Sequence, residues 1–253
     1  LTASPSSGQT PGSSTLESLA SGAEIEVTDT SEPRPVWLTD FTKYFTSKFL
    51  WEGALLAVQI TVCAMTAGLI LGLGLALMRL SRFFVFNSIA WIYIWIMRGT
   101  PQLLQLVFIF DALPFIGIRL DSFLTAVIGF SLNQAAFSAE IIRGGILSVN
   151  KTQTTAADSF GISKTLSLWR IVLPQAMKTI LPGTFNDTIG MIKLTSIASI
   201  IFVNELTFRS QQIVGQNFKF FKVFAATGAI YLILTTLLSL IQIWLENYFD
   251  HTK

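Results

Sequence analysis

Two long uncharged apolar stretches constrain the fold of this chain more than any other feature. Residues 53–78 and 223–245 contain no charged side chain, and each exceeds the roughly 20 residues that an apolar helix needs to cross a bilayer. Over the whole chain 51% of residues are hydrophobic and only 13% are charged, and the mean hydropathy is +0.60. Water-soluble domains of this length are much less apolar. The sequence therefore predicts an all-α integral membrane protein.

Three further stretches complete a prediction of five transmembrane helices. Residues 84–113 are mostly apolar and are interrupted by a polar break at residues 98–101 that contains a proline, so a kinked or broken helix is expected. Residues 122–139 supply a third span, which continues to residue 147. Residues 185–203 supply the fourth and most polar span, and we expect that span to face protein or water as well as lipid. An odd number of spans places the two termini on opposite sides of the membrane.

The segments outside the spans differ in composition. Residues 1–36 are rich in Ser, Thr, Gly and Pro and carry almost only acidic charge, so we predict a disordered tail in front of a transmembrane domain at residues 37–253. The sequence leaves open whether a leader or a further domain preceded this tail. Residues 204–222 are polar and too short for another crossing, and an extramembrane loop or a partly re-entrant helix fits them.

A polar loop at residues 147–182 joins the third and fourth spans and is longer than a simple connection requires. Its pattern predicts a helix at residues 154–160, a left-handed turn at Gly161 and a second helix at residues 163–171. Pro174 and Pro182 are expected to bracket the return of the chain to the membrane. A loop of this construction is suited to contact a partner.

The loop carries a spaced motif. An alanine pair is followed after three residues by glycine and, after nine more, by a sequence that ends in Leu-Pro. It resembles the coupling loop of ABC importer permeases, whose motif is Glu-Ala-Ala, three residues, Gly, nine residues, Ile, any residue, Leu-Pro. Thr155 stands where that family has Glu. The resemblance implies contact with an ATPase through Thr155, Ala156, Ala157, Asp158, Gly161, Ile171, Leu173 and Pro174.

A second motif narrows the resemblance. Arg98, Gly99, Thr100 and Pro101, followed by a glutamine-rich turn, are similar to the start of the second core helix in permeases for polar amino acids, of the histidine, glutamine and glutamate type. The two motifs together imply the ABC type I importer permease fold, with five transmembrane helices and a cytoplasmic coupling helix. They also imply a bacterial inner-membrane location.

The resemblance also implies partners. The chain has no phosphate-binding loop of the form Gly, four residues, Gly-Lys-Ser/Thr, so we expect that it is not an enzyme and has no cofactor of its own. ATP and Mg would be bound by a dimer of ATPase subunits. A second permease copy or a homologous permease, an extracytoplasmic amino-acid-binding protein and the lipid bilayer would be its other partners. Without a basic, aromatic-rich run, nucleic-acid binding is not expected.

Several polar side chains in or beside the spans are candidates for a substrate path. For Arg98 two interpretations stand: a structural cation that holds neighbouring helices through carbonyl groups or a carboxylate, or a group that meets the substrate's carboxylate. In either case Arg98 is expected to have a partner, for which Glu140 and Asp187 are the candidates. For the other side chains, hydrogen bonding between helices is the competing interpretation. The candidates are Arg98, Thr100, Gln102, Gln105, Asn133, Gln134, Glu140, Lys193, Thr195 and Ser196.

A change in one motif bears on the substrate. The segment from Lys193 to Ser196 resembles the Lys-Asp-Thr-Ser segment of polar amino-acid permeases, with Leu194 in place of the acid. The loss of that acid favours a neutral or acidic amino acid, such as glutamine or glutamate, over a cationic one. Lys193 either meets the substrate or pairs with Asp187 or a carbonyl group.

Three functions are therefore compared. The first is a permease subunit of an ATP-driven importer of polar amino acids that works by alternating access. The second is a permease for another small solute, such as an opine or a sulfur amino acid. The third is a membrane scaffold or sensor that keeps the loop but does not transport. A weak excess of Lys and Arg on the side of the loop places the loop and the C-terminus in the cytoplasm and the N-terminus outside.

Overall fold

The computed structural model describes residues 36–250, with side chains described for residues 40–248. The predicted disordered tail therefore lies, except for Val36, outside the described residues. The described part is built from helices and their connections. Labelled in chain order, the α-helices are α1 Val36–Phe45, α2 Lys48–Leu80, α3 Phe84–Gly99, α4 Gln102–Ala112, α5 Ser122–Ser148, α6 Lys151–Ser159, α7 Lys164–Ser167, α8 Leu173–Leu194, α9 Leu206–Asn217 and α10 Phe220–Asp250.

Each of the five predicted spans corresponds to a helix, or to a pair of successive helices, close to the expected position. By length and composition, α2 and α10 are apolar and long enough to cross a membrane, and up to four spans result if each of two bent helix pairs counts as one. Helix α5, with 27 residues, is long enough at about 1.5 Å per residue, but it carries more polar side chains. It is the fifth candidate, and the count of five spans stays a prediction.

The two bends lie where the sequence is polar. The first pair, α3 and α4 with the 3-10 turn Leu113–Ile116, bends by 103° at Thr100 and Pro101, so the predicted broken helix is confirmed. The second bend, of 51°, separates the helix that ends at Ile201 from α9. Of the two alternatives for residues 204–222, a loop or a partly re-entrant helix, the structure has a helix, α9, and its position relative to the membrane stays a prediction.

Helices α2 and α5 pack together at the centre of the described structure. A Cβ atom added at Gly68 would lie 2.7 Å from the Cβ of Gln134, and one added at Gly72 would lie 2.7 Å from the Cβ of Ser138. Glycine is therefore required at both positions for the helix axes to approach this closely. The close packing buries the polar residues of α5 between helices, away from lipid.

The return from the coupling loop differs from the prediction. A π-helical turn, Leu168–Val172, leads directly into α8, and Pro174 occupies the first turn of α8, where a missing backbone donor costs nothing. Pro182, which was predicted to mark a boundary, lies inside α8. That prediction is wrong because an interior proline can be accommodated in a membrane helix when its neighbours satisfy the freed backbone groups.

The first described helix is held by ion pairs outside the spans. Asp40 of α1 accepts hydrogen bonds from Lys222 Nζ at 2.5 Å and Lys219 Nζ at 3.1 Å, and Tyr44 Oη accepts one from Asn217 Nδ2 at 3.0 Å. The hydrogen bond from Lys222 has the larger effect and that from Lys219 adds to it, and together they hold the pKa of Asp40 below its ordinary value of 3.8. The ion pairs thus stay formed at neutral pH.

We expect the attachment of α1 to weaken only in acid. Because the folded-state pKa of Asp40 is depressed, its contribution is complete above the ordinary value of 3.8 and is lost as the pH falls through the lower folded value. Hydrogen exchange of α1, corrected for intrinsic rates, should therefore accelerate below about pH 4. In Asp40→Asn, exchange should be faster at pH 7 and show no such acid step; an acid step of unchanged size would contradict the assignment.

Candidate coupling loop and polar path

The coupling helix α6 is defined by local hydrogen bonds at both ends. Asn150 Oδ1 accepts from Thr152 N at 3.0 Å and caps the start. At the end, Gly161 N donates to Asp158 O and Ile162 N donates to Ala157 O, both at 3.0 Å, which is the Schellman arrangement. Gly161 has φ 70. The left-handed turn predicted at this glycine is confirmed, and the helix begins at Lys151, three residues earlier than predicted.

The motif residues divide into an anchored set and an exposed set. Ala157 is 2% exposed and Val172 is 5% exposed, so these two fasten the loop to the rest of the protein. Thr155, Ala156 and Asp158 are exposed on α6, while Ile171 and Leu173 are half-buried and Pro174 is exposed. The alanine pair thus supplies one packed and one exposed methyl group, as a docking helix needs.

Thr155 does not supply the charge that its position has in the resembling family. Its Oγ1 donates within the helix to Lys151 O at 3.1 Å. Asp158 lies on the helix face that lines a cavity with Lys151 and Thr154. Thr155 itself is uncharged, and the exposed Lys151 and Asp158, about one turn away on either side, carry opposite charges, so the surface around Thr155 has no net charge.

The expected ion pair of Arg98 is not formed. Its guanidinium carbon lies 5.2 Å from the ring centroid of Phe137, a cation–π contact. Among the described residues, Glu140 pairs instead with Arg143 at 2.7 Å, and Asp187 Oδ2 accepts from Gln134 Nε2 at 3.0 Å. The prediction of Glu140 or Asp187 as a direct partner is wrong, because both carboxylates have nearer donors. Arg98 and Glu140 nevertheless line one cavity of about 370 Å³.

Three of the other path candidates stabilise the break in the second span. Gln105 Nε2 donates to Thr100 Oγ1 at 2.6 Å and to Met97 O at 2.9 Å. Asn133 Nδ2 of α5 donates to Gln105 Oε1 at 2.9 Å and to Met97 O at 3.1 Å. These side chains satisfy a carbonyl group that the proline leaves without its usual partner. Here the helix-linking interpretation fits better than a substrate path.

The remaining candidates lie apart from that cavity. Thr195 is buried and donates to Ile192 O at 2.7 Å, and Ser196 donates to Lys193 O at 2.7 Å. Lys193 is exposed and has no ion-pair partner within the described residues, so its predicted pairing with Asp187 is absent there. Gln102 Nε2 is buried without a hydrogen-bond partner. The path candidates therefore form separate groups.

One buried polar cluster escaped the sequence analysis. Glu205 is fully buried and caps α9, accepting from Thr207 N and Phe208 N at 2.8 Å each. Tyr231 Oη of α10 donates to Glu205 Oε2 at 3.0 Å. Glu is not among the residues that usually mark a helix N-cap, so the sequence offered no standard capping signal here. The sequence did not identify Tyr231 of α10 as the partner of Glu205, because the two residues are 26 positions apart and no local pattern connects them.

Within the part of the chain that the structure describes, no three His, Cys, Asp or Glu side chains lie close enough together to hold a metal ion.

A family model described as "Binding-protein-dependent transport system inner membrane component" matches residues 66–251. The chain belongs to this family. The match includes the whole coupling loop and the broken second span. The permease is thus a multi-pass inner-membrane protein and a transport subunit of an ABC importer, with the ATPase on a partner.

Curated relatives agree on the type of protein and differ in substrate. The permease is 37% identical over 221 residues to the octopine transport system permease protein OccM of Rhizobium radiobacter, covering 80% of this chain and 89% of the relative. It is 37% identical to the arginine permease ArgU of Corynebacterium glutamicum, with 83% and 71% covered. It is also 37% identical to the glutamine permease GlnP of Escherichia coli K12, with 78% and 91% covered.

A solved structure supports the fold. The match titled "Crystal structure of an amino acid ABC transporter with histidines" has a TM-score of 0.79 and 31% identity, and it covers 85% of this chain and 100% of that one. This match confirms the predicted all-helical fold of the type I importer permeases. An ATPase partner and a permease partner follow from the family.

Proposed function

We propose that this permease imports a polar amino acid, with glutamine or glutamate favoured, by alternating access driven by a separate ATPase dimer. The coupling helix carries this proposal. Its ends are fixed by the Asn150 cap and the Gly161 turn, and it lies in the chain between α5 and α8, so a push on its exposed face would be passed to the ends of both helices. Closure of the ATPase dimer would thus rock the helices between outward-open and inward-open states.

The proposed importer is an assembly of several proteins. A second copy of this permease, or a homologue, would complete the path, and an extracytoplasmic binding protein would deliver the amino acid. ATP and Mg would be held by the ATPase subunits, with no cofactor in this chain. The coupling loop and the C-terminus would face the cytoplasm and the N-terminus the outside. The weak excess of Lys and Arg beside the loop supports this orientation.

The substrate class rests on the neighbourhood of Leu194. Leu194 is half-buried, and the adjacent Lys193 is exposed without an ion pair in the described part of the chain. An unpaired cation with no acid beside it repels a cationic substrate side chain, while the α-carboxylate is common to all amino acids, so a neutral or acidic side chain is favoured. Since relatives at the same identity are named for arginine and for glutamine, overall similarity does not decide between these substrates.

Reconstituted ATP hydrolysis tests the proposal. The permease, its ATPase and the candidate binding protein are assembled in lipid, and glutamine, glutamate, arginine, cystine and octopine are added in turn. Stimulation by glutamine or glutamate supports the proposed class. Stimulation only by cystine or by an opine would assign the permease to the second function, which the similarity to OccM favours. Hydrolysis indifferent to all of them would favour a non-transporting scaffold or sensor, for which the neutral surface at Thr155 is the supporting observation.

Restoring the missing acid should change the preference. In Leu194→Asp, we expect the ratio of arginine to glutamine stimulation to rise about tenfold, because a carboxylate adds one charge-assisted hydrogen bond to a cationic substrate. Leu194→Asn is the control, since it matches the shape and polarity without the charge. An equal response of the two variants would show that charge at this position does not select the substrate.

A further inference from the structure

A cavity of about 510 Å³ lies between the coupling loop and the ends of two membrane helices. Leu77 and Leu80 line it from the end of α2, and Leu147 lines it from the end of α5. Leu77 and Leu147 are 40% and 57% exposed. One wall is therefore apolar and continuous with a helix that is long and apolar enough to cross the membrane.

The coupling loop contributes polar residues to the lining, together with the apolar Leu168 and Val172. Lys151 of α6 and Lys164 of α7 line the cavity, and neither ammonium group has an ion-pair partner in the described part of the chain. Ser167 also lines the cavity and is only 4% exposed. Its Oγ is buried and has no hydrogen-bond partner. A buried hydroxyl without a partner is costly and indicates that a ligand atom belongs beside it.

We propose that this cavity binds the headgroup of an anionic phospholipid. The phosphate would lie among Lys151, Lys164 and Ser167, and the acyl chains would follow the apolar wall. The two lysines and Asp158 give the lining a net charge of one positive unit, which a single phosphodiester neutralises. Asp158 accepts hydrogen bonds only, so a headgroup with hydroxyl donors, such as phosphatidylglycerol, suits this lining better than one without. Basic pockets between membrane helices are known to favour such headgroups.

The cavity and the proposed ATPase contact share one motif residue, Asp158, and otherwise use different residues. The exposed motif residues Thr155 and Ala156 are not among the residues that line the cavity. The lipid would therefore sit behind the coupling helix, between it and the membrane helices, and would stiffen the joint. This inference does not depend on which solute the permease carries.

Lipid retention by the full chain tests the inference. Native mass spectrometry in detergent compares phosphatidylglycerol with phosphatidylcholine of the same acyl chains. We expect a preference for phosphatidylglycerol that falls about 30-fold in the double variant K151Q/K164Q, from two lysines near the headgroup. In Ser167→Ala a loss of about fivefold is expected from one hydrogen bond. The double variant R170Q/K178Q removes the same charge from exposed positions outside the cavity and should bind like the parent.

Each opposing result has a definite meaning. Equal retention of the two lipids, or equal loss in the two double variants, would overturn the assignment. Competition by glycerol phosphate at the same concentration as the lipid would assign the site to a soluble phosphate compound. Complete displacement of the lipid when the ATPase subunits are added would show that the cavity is part of the protein interface.

Discussion

Replacing Gly161 with valine is expected to reduce substrate-stimulated ATP hydrolysis about tenfold while the membrane helices stay folded. Gly161 has φ 70, and an L-residue with a Cβ loses roughly 1–2 kcal/mol in that conformation. A β-branched residue is a genuine outlier there. The strain would shift the loop away from the Schellman turn that ends α6, so force from the ATPase would no longer reach α8 through a fixed helix.

The measurement is ATP hydrolysis by the assembled complex with and without substrate, together with helix content by circular dichroism. Gly161→Asn separates conformation from side-chain bulk, because asparagine tolerates the left-handed region, and this variant should keep most of the stimulation. Gly144→Val is the matched control, since nothing lies within 4 Å of a Cβ at Gly144. If Gly161→Asn failed as badly as Gly161→Val, backbone conformation would not be the reason.

Removal of the Glu205 side chain should be the most destabilising single change among the polar residues. Glu205→Ala removes the cap from α9 and takes away one of the two hydrogen-bond partners of the partly buried Tyr231 Oη, the other being Thr207 Oγ1 at 3.1 Å. A lost N-cap costs about 1 kcal/mol and each buried unsatisfied polar group about 1–3 kcal/mol. We therefore expect the free energy of unfolding to fall by about 2–4 kcal/mol.

Equilibrium unfolding of the detergent-solubilised permease by a denaturing detergent would measure this effect. Glu52→Ala is the comparison, because Glu52 pairs with Arg209 at 2.8 Å with its side chain half exposed, and such pairs contribute about 1 kcal/mol or less. Tyr231→Phe combined with Glu205→Ala completes a double-mutant cycle, for which we expect a coupling of about 0.5–3 kcal/mol. Zero coupling would show that the 3.0 Å contact contributes nothing to stability.

The parts of the fold that the sequence predicted are those set by local rules. The uncharged run at residues 53–78 became part of α2, and the Arg98–Pro101 break became a bend, since burial of apolar length and the missing proline donor act within one segment. The Gly161 turn was predicted for the same reason. The boundary at Pro182 was wrong, because the fate of an interior proline depends on the helices around it.

The candidate site was predicted less well than the loop. The sequence placed ten polar residues on one path, yet the structure joins Gln105, Thr100 and Asn133 around a helix break and Gln134 to Asp187. Each pairing depends on how a helix is rotated about its own axis. The periodicity of the sequence shows which residues share a helix face, but it does not show which neighbouring helix that face contacts. The cavity beneath the coupling helix was also invisible, since its lining comes from separate elements.

By itself, the sequence determined that this chain is a helical membrane protein with a coupling loop, because apolar length and motif spacing are properties of continuous segments. Only the tertiary structure decided that Arg98 lies against Phe137 while Glu140 pairs with Arg143, and that Tyr231 meets a buried Glu205. The physical reason is that several donors compete for each acceptor inside a helical bundle, and the close approach of helices at residues such as Gly68 and Gly72 selects which pairs come within hydrogen-bond distance.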